Sequence, residues 1–360
     1  KIMQNKHKNL IKIFLIFIII LGFNYGVSFQ QFLHYDWNNP RGLSDSASYL
    51  AMSNGDYAIS SGHRYRVIIP FLANLVRNFV QPLIPSEQLQ WFGGIDAFSF
   101  YIINYLFSSL TGLFLYLFLV KLKFDPKLSL FGVFVFLGSR ITIISTGAPI
   151  VDSLYLLSII IIVYFCLTQN TLALFILAPL LILSKETIIP FLLLPFFVKQ
   201  INRKIFGVSF GISLANFFWV RDTVSSWSLN KLEANDPIFD VFINHLKSGF
   251  ENIIQTYFSM GGLHGLFSTF SVFWIIAAFG AWLYFKKLIS FYRLPYFLFF
   301  IIPITFCFTV LSSNVGRMLL SSFPIVIPFI LIGIDYLFSE KNTRQYSLNN
   351  IQTIDNEENQ

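Results

Sequence analysis

Long apolar runs take up most of this 360-residue chain and restrict what it can fold into. About 20 consecutive apolar residues in a helix span the hydrocarbon core of a bilayer. We therefore predict an all-α, polytopic transmembrane helix bundle. It would have about ten spans, near residues 10–29, 95–120, 128–147, 150–167, 170–184, 187–198, 205–220, 266–285, 295–312 and 318–338.

The composition excludes several classes of protein. The chain is 55% hydrophobic and 12% charged, with a mean hydropathy of +0.65, which excludes a soluble globular protein. Its net charge of +7 comes from Lys and Arg clusters between apolar runs, as the positive-inside rule expects, so no nucleic-acid partner is predicted. Cys166 and Cys307 lie within apolar runs and fit neither a disulfide framework nor a metal-ligand spacing. The lipid bilayer is the first predicted partner.

The first apolar run follows a Lys-rich start, which permits two interpretations. A secretory signal peptide begins this way, and so does an uncleaved anchor with its N-terminus in the cytoplasm. The run is long enough for a full span, and no small-residue cleavage site follows it. We therefore predict the anchor, in a multi-pass protein of the bacterial plasma (inner) membrane.

Residues 170–198 allow two topologies. Two apolar pieces flank Ser184-Lys185-Glu186, and each is shorter than the roughly 20 residues usually needed for a span. They could form one helix, but a Lys-Glu pair at its centre would be costly in hydrocarbon. One helix would also move the basic cluster at 199–204 to the outside. We therefore favour two short or re-entrant passes.

With ten passes, two long polar segments fall on the external side. They are near residues 30–94 and 221–265, whereas the cytoplasmic loops are short and Lys-rich. We predict that residues 1–340 form a single integral membrane domain and that residues 341–360 form a disordered cytoplasmic tail. Function is therefore expected at the external face.

The stretch at 42–70 is the polar interruption of this apolar chain. Ser44 is a suitable N-cap and Asn54-Gly55 a suitable left-handed stop, so a short helix is predicted between them. Its first turn holds Asp45, which shares a face with Tyr49. Asp45 could act in chemistry at the external face, or it could only offset the helix dipole.

A second motif, Arg64-Tyr65-Arg66, precedes an amphipathic stretch at 67–80. That stretch places polar residues, Asn74 and Arg77 among them, on one helical face and apolar residues on the other. We predict an interfacial helix along the bilayer surface, which would hold Arg64 and Arg66 at headgroup depth. Arg is the side chain best shaped for two-point contact with phosphate.

Ionisable residues also occur near the outer ends of predicted spans. Arg140 lies inside one span and Asp152 near the start of the next, with a tight Gly147-Ala148-Pro149 turn between them. Arg140 and Asp152 could pair, either as a functional site or as a structural pair that neutralises both charges. The same outer face is predicted to hold three further charged residues, namely Lys185, Glu186 and Arg317.

The second long external loop carries His264 between glycines and an amphipathic piece at 239–258. We predict that the amphipathic piece lies on the membrane as a lid. His264 could touch a substrate, or it could be structural, as a lone histidine often is.

The order and sidedness of these motifs resemble the GT-C superfamily. Its members are polytopic glycosyltransferases that use polyprenyl-phosphate sugars, such as protein mannosyltransferases and bacterial lipid-linked-sugar transferases. The resemblance covers nearly the whole chain through short motifs: Asp45 to Tyr49, Arg64 to Pro70, Gly147 to Asp152, Ser184 to Thr187, and Gly316-Arg317 ahead of a Pro-containing span. It implies a GT-C-like fold and sugar transfer at the external face.

The resemblance also implies roles for individual residues. Asp45 would be the catalytic base, and the donor phosphate would be bound by Arg64, Arg66, Lys185 and Arg317. Supporting roles would fall to Asp36, Tyr49, Arg140, Asp152, Glu186 and His264. Many members carry paired acids in the first loop, whereas Asp45 has only Asp36 and Asp56 nearby. The identity of the base therefore stays open, and so does the participation of a divalent cation (Mg²⁺ or Mn²⁺).

We therefore predict a GT-C-type membrane glycosyltransferase, a hexosyltransferase that moves a sugar from a polyprenyl-phosphate-linked donor to an acceptor on the extracytoplasmic face. The acceptor could be a glycan, a lipid or a protein. A lipid or small-molecule transporter or flippase is an alternative, although such proteins usually contain internal repeats and none is evident here. A non-catalytic membrane subunit is the other alternative.

Overall fold

The computed structural model describes residues 2–34, 44–59, 61–89, 94–227, 247, 259–288, 291–312 and 314–338. Within these residues the chain forms helices and no strand, which confirms the predicted all-α class. The helices are α1 Ile2–Leu33, α2 Ser44–Ser53, α3 Ser61–Arg64, α4 Ile68–Val80, α5 Ser86–Leu89, α6 Ile95–Lys121, α7 Pro126–Leu137, α8 Arg140–Gly147, α9 Asp152–Thr168, α10 Thr171–Leu181, α11 Arg203–Trp227, α12 Met260–Phe270, α13 Phe273–Phe285, α14 Ile301–Leu311, α15 Val315–Leu319 and α16 Phe323–Phe338. Stretches of 3-10 helix accompany them at Glu186–Ile188, Phe191–Phe197, Tyr296–Phe300 and Leu320–Ser322.

Three helical stretches among the described residues are long and apolar enough to cross a membrane. They are Leu10–Leu33 in α1, Ile95–Lys121, which is α6, and the continuous stretch Val315–Phe338. Two bent pairs, α7 with α8 and α12 with α13, raise the number to five if each pair counts as one span. The chain is therefore compatible with an integral membrane protein in contact with a lipid bilayer.

The two bent pairs replace the straight spans predicted at 128–147 and 266–285. α8 leaves α7 at 66°, because Ser139 between them has extended backbone angles. α12 and α13 meet at 70°, where Ser271 has a left-handed φ of 52°. Both breaks lie inside apolar sequence, so hydropathy did not reveal them.

The region 170–198 does not form one continuous helix. α10 ends at Leu181, and Lys185 has an extended backbone, with φ −171° and ψ 146°, before the 3-10 turns begin. Pro190 and Pro195 lack the N–H that a regular α-helix needs, which explains 3-10 turns in place of a second α-helix. Lys185 therefore lies at a connection rather than at the centre of a helix.

α6 and α9 run in the same direction through the core. Near their starts, Ser153 Oγ donates to Asn104 Oδ1 at 2.6 Å, and further along the rings of Phe114 and Tyr164 meet edge to face. The buried Asn104 also donates to two backbone oxygens of the 148–150 turn. This polar anchor fixes the turn that leads into α9 against the start of α6.

Basic clusters gather at the end of the bundle opposite the start of α9. Because α6 and α9 are parallel, the Lys residues that follow α6 lie near the far end of α9. Phe124, which follows Lys123 in the chain, stacks on Tyr292 with ring centroids 4.4 Å apart. The cluster at 199–204 lies there too, since Asn202 N donates to Thr171 Oγ1 just beyond α9. The two ends of the bundle therefore differ in charge.

The helix predicted at 67–80 is present as α4 and lies against α2. On its polar side, Asn74 Nδ2 donates to the Ser53 backbone oxygen at 2.5 Å, and Arg77 Nη1 contacts Asn54 and Asp96. Its opposite side exposes three large apolar side chains, Phe71, Leu75 and Phe79. Such an exposed apolar face suits a helix at a bilayer surface.

Candidate functional site

α2 turns Asp45 and Tyr49 toward the bundle. The helix begins at Ser44 and stops before Gly55, whose φ of 86° provides the left-handed turn expected there. Asp45 and Tyr49 are both buried, so the face that they share is the buried face of α2. The carboxylate of Asp45 therefore faces charged groups from later parts of the chain.

Arg317, in α15, joins two buried acids. Its Nη2 donates to Asp45 Oδ2 at 2.9 Å, and its Nε donates to Asp152 Oδ2 at 2.6 Å. Asn314 accepts from the Arg317 backbone N–H and so caps the short helix that carries this side chain. A guanidinium has five N–H donors in a planar fork, which lets one Arg hold two carboxylates.

Lys185 provides a second cation for Asp152. Its Nζ donates to Asp152 Oδ1 at 3.0 Å and lies 5.3 Å from the centroid of the Tyr155 ring. Both members of the pair are buried. Asp152 is also the first residue of α9, where the helix dipole favours a negative charge. The Asp152 carboxylate is therefore stabilised from three sides.

Arg66 binds Glu186 in a two-point contact. Arg66 Nε donates to Glu186 Oε2 at 3.0 Å, and Arg66 Nη2 donates to Glu186 Oε1. The remaining nitrogen, Nη1, donates to the Tyr49 hydroxyl at 2.7 Å. The pair is thereby tied to α2, one turn from Asp45.

These contacts involve seven side chains from five segments, which we call the charge network: Asp45, Tyr49, Arg66, Asp152, Lys185, Glu186 and Arg317. One part of the network surrounds Arg317 and the other surrounds Arg66. The two parts are connected through the chain, because Lys185 and Glu186 are adjacent and Asp45 and Tyr49 lie on one face of α2. All seven were selected from the sequence, and the fold places them together. The network lies at the end of the bundle away from the basic clusters.

Arg64 is buried, and no carboxylate among the described residues pairs with it. Its side chain is 1% exposed, and its Nη2 donates to the Ile59 backbone oxygen. Nε and Nη1 of Arg64 have no hydrogen-bond partner among the described residues. A buried guanidinium is costly unless its charge and its N–H groups are compensated. An anionic ligand would relieve that cost.

The protonation of the α2 side chains follows from their surroundings. Burial raises the pKa of the Asp45 carboxyl, but the charge and hydrogen bonds of Arg317 outweigh it, so the pKa lies below its usual value. Burial raises the pKa of the Tyr49 phenol above its usual range. At neutral pH, Asp45 is therefore ionised and Tyr49 carries its proton.

His63 lies beside the charge network although sequence analysis did not select it. Its Nδ1 is 3.3 Å from Ser48 Oγ, and its ring contacts that of Tyr49 with centroids 5.6 Å apart. Burial, followed by the charge of Arg66, lowers the pKa of His63. The signal available in the sequence was its position directly before Arg64-Tyr65-Arg66.

The suggested pair of Arg140 and Asp152 does not form. Asp152 binds Arg317 and Lys185, whereas Arg140 Nη1 contacts Nε2 of His264 on α12. The physical reason is the break at Ser139, which makes Arg140 the first residue of a helix in a new direction. Arg140 and His264 therefore form a second polar group outside the charge network.

Three predictions from the sequence fall outside the described residues. These concern Asp36 as a supporting residue, the lid at 239–258 except for residue 247, and the cytoplasmic tail at 341–360.

The described residues contain no group of three or more His, Cys, Asp or Glu side chains that could hold a metal ion. The three network acids do not converge on one point, because Arg317 lies between Asp45 and Asp152 and Arg66 engages Glu186. This donor set does not fit the divalent cation that the sequence left open. No chemical step is therefore assigned to a metal.

Comparisons with known proteins return no match: no protein-family model matches the chain, and neither does a curated protein or a solved structure. The chemistry of the charge network is thus the basis for assigning a function.

Proposed function

We propose that this protein is a GT-C-type membrane glycosyltransferase that moves a sugar from a polyprenyl-phosphate-linked donor to an acceptor on the extracytoplasmic face. Sugar transfer from a lipid phosphate requires a base for the acceptor hydroxyl and cations for the departing phosphate. The observation that carries the proposal is the contact of the buried Asp45 carboxylate with Arg317, which supplies one group of each kind.

The charge balance around the network suits an anionic donor. Four cations, Arg64, Arg66, Lys185 and Arg317, accompany three carboxylates, Asp45, Asp152 and Glu186. Each of these carboxylates has a cationic partner. Within the described residues, Arg64 is buried and has no carboxylate partner. The surplus is one positive charge, which equals the charge magnitude of a phosphodiester. A lipid-linked sugar phosphate would therefore neutralise the site.

Arg317 couples donor binding to the base. In the resting site Asp45 is held by Arg317, which keeps it ionised but weakly basic. A donor phosphate that bonds to Arg317 would compete with Asp45 and free its carboxylate. Asp45 then accepts the proton of the acceptor hydroxyl while the acceptor oxygen bonds to the anomeric carbon. The bond from that carbon to the phosphate oxygen breaks, and the lipid phosphate departs with the electron pair, beside Arg317 and Arg64.

The position of the network supports an extracytoplasmic reaction. The positive-inside rule assigns the basic clusters at 121–127 and 199–204 to the cytoplasmic side. The contacts of Phe124 with Tyr292 and of Asn202 with Thr171 bring these clusters to the end of the bundle opposite Asp152. We further propose that the N-terminus is cytoplasmic and that the protein lies in a bacterial plasma membrane.

Ten passes are also part of the proposal. Five would come from the three long helices and the two bent pairs. The others would be α11 and four shorter apolar segments, which are Asp152–Thr168, Thr171–Leu181, Glu186–Phe197 and Tyr296–Leu311. Short segments cross a thinned bilayer, or cross with help from flanking polar residues, at modest cost.

The decisive experiment is incubation of the purified protein, in lipid vesicles, with a radiolabelled polyprenyl-phosphate sugar and candidate glycan, lipid and protein acceptors. Release of the label from its lipid, by transfer or hydrolysis, supports the proposal, provided that Asp45→Asn protein gives none. Movement of intact labelled lipid between leaflets without release would favour a flippase and overturn the proposal. Neither release nor movement would favour a non-catalytic subunit.

A further inference from the structure

A cavity of about 500 Å³ lies between the two helix breaks, at the junctions of α7 with α8 and of α12 with α13. We call it the break cavity. Its lining divides into an aromatic part, with Phe131, Phe134 and Phe267, and a polar part, with Ser139, Arg140 and His264. The volume falls within the ~300–1,000 Å³ range typical of small-molecule sites.

The polar part of the break cavity has unused hydrogen-bonding capacity. Ser139 is 6% exposed, and its hydroxyl has no hydrogen-bond partner within the described residues. Arg140 contacts a histidine nitrogen and no carboxylate in the described part of the chain. Arg140 supplies only donors, so His264 must accept through a deprotonated Nε2. Arg140 and His264 are both exposed, and each has a ring or guanidinium nitrogen outside their mutual contact that can donate to an anion.

The aromatic part of the break cavity is suited to a hydrocarbon chain. Phe131 and Phe267 are large apolar side chains that stay exposed in a chain whose outer surface meets lipid. The cavity therefore combines exposed aromatic rings with a cationic group that lies where α8 begins. This combination matches an amphiphile with an anionic headgroup and an apolar tail.

We propose that the break cavity binds a lipid phosphate, with the phosphate at Arg140 and His264 and the hydrocarbon chain along the phenylalanines. The site is separate from the charge network, although the two are neighbours, because Gly265 beside His264 packs on Gly316 beside Arg317. The phosphate belongs either to a polyprenyl phosphate or to a membrane phospholipid. The inference does not require that the protein transfers a sugar.

The test is site-resolved photolabelling of the full-length protein in lipid vesicles. The probe is a photoactivatable analogue of farnesyl phosphate, and mass spectrometry identifies the labelled peptides. We expect label in residues 131–140 and 264–273. Arg140→Gln should reduce this label at least tenfold, whereas Arg77→Gln, a change of another arginine outside the cavity, should leave it unchanged. Arg317→Ala should also leave it unchanged, since that variant alters only the charge network.

Three results would overturn the inference: no label in these two segments, equal label in the Arg140→Gln protein, or equal label from the phosphate-free farnesol analogue. Competition identifies the source of the phosphate within the proposed class. Displacement by excess phosphatidylglycerol supports a phospholipid site, and displacement by polyprenyl phosphate alone supports a prenyl site. Because the readout is label at the break cavity, an inactive transferase with a labelled cavity would refute the proposed function and leave this inference intact.

Discussion

Arg317 Nη2 and Asp45 Oδ2 lie 2.9 Å apart, although 272 positions separate the two residues in the chain. The contact connects a short helix after α1 with the start of the last apolar stretch. Arg317 also holds Asp152, so a ligand that engages its guanidinium changes the surroundings of two acids at once. The function of the site can therefore be examined through this one cation and its partners.

Replacement of Asp45 by Asn should abolish sugar transfer while the protein stays folded. The change keeps the shape of the side chain but removes the proposed base, and a general base typically contributes ~10²–10⁴-fold to the rate. Initial transfer rates of the purified protein measure the loss. Asp56→Asn is the matched control, since Asp56 is an exposed acid nearby that accepts from the Ala58 backbone N–H. Transfer at the wild-type rate in the Asp45→Asn protein would remove Asp45 from the mechanism.

Replacement of Arg317 by Ala should weaken binding of the lipid-phosphate donor. A charge-assisted hydrogen bond contributes roughly 1.5–3 kcal/mol, which corresponds to a loss of affinity of about 10- to 100-fold. Equilibrium binding of the labelled donor provides the measurement, with Arg77→Ala as the control. Circular dichroism of both variants checks that the helices persist. Donor affinity equal to that of the wild type would assign Arg317 a structural role only.

Replacement of Arg64 by Gln should weaken donor binding without lowering stability. Arg64 is a buried charge with no carboxylate partner in the described part of the chain, so its removal should leave the thermal unfolding midpoint unchanged or raise it. Donor affinity should fall, because the site loses its surplus positive charge. Thermal unfolding and donor binding are measured on the same preparation. A fall in both the unfolding midpoint and the donor affinity would indicate that Arg64 stabilises the fold and is not an anion-binding residue.

Replacement of Lys185 by Met should destabilise the protein strongly. Loss of one partner from a buried ion pair costs on the order of 3–5 kcal/mol, whereas an exposed pair contributes about 0–1 kcal/mol. Arg77→Met breaks the more exposed contact with Asp96 and so serves as the comparison. The midpoints of thermal unfolding should fall far more for Lys185→Met. Addition of Asp152→Asn should restore part of the loss, and equal midpoints for the two single variants would contradict the buried pair.

The protein should become less stable as the pH falls below about 6.5, because His63 resists protonation in the folded state. The pKa of His63 is lowered in the folded protein, so below the usual histidine value of about 6.5 the unfolded chain binds more protons. The His63 contribution is present above that pH and is lost as the pH falls below it. Thermal midpoints measured from pH 7.5 to pH 5 should decline in the wild type and decline less in His63→Gln. Parallel curves for the two proteins would exclude His63 as the cause.

The network residues could be selected from the sequence because charges are rare in an apolar chain. Asp45, Arg66, Lys185 and Arg317 each interrupt or border an apolar run, and counting passes assigned all of them to one face. Helix α2 was predicted for the same kind of reason, since a cap and a left-handed stop are local signals. Local chemistry and membrane sidedness were sufficient for this much of the site.

The pairing of these charges could not be predicted, because it depends on how helices pack. Arg140 and Asp152 are close in sequence, but the break at Ser139 sends Arg140 toward His264. Gly138 next to Ser139 was an available signal, since Gly/Ser pairs are a common cause of sharp kinks. The burial of Arg64 away from the carboxylates that the structure describes likewise depends on packing and could not be predicted.

The shared position of Arg317 has a consequence for biosynthesis. Asp152 and Lys185 are 33 positions apart and can neutralise each other soon after both have been inserted. Asp45 can be neutralised only after Arg317 has been synthesised, because Arg317 is its cationic partner and lies in the stretch Val315–Phe338. A chain interrupted before that point would contain an unpaired acid facing the bundle. The charge network is therefore completed only after the stretch Val315–Phe338 has been inserted.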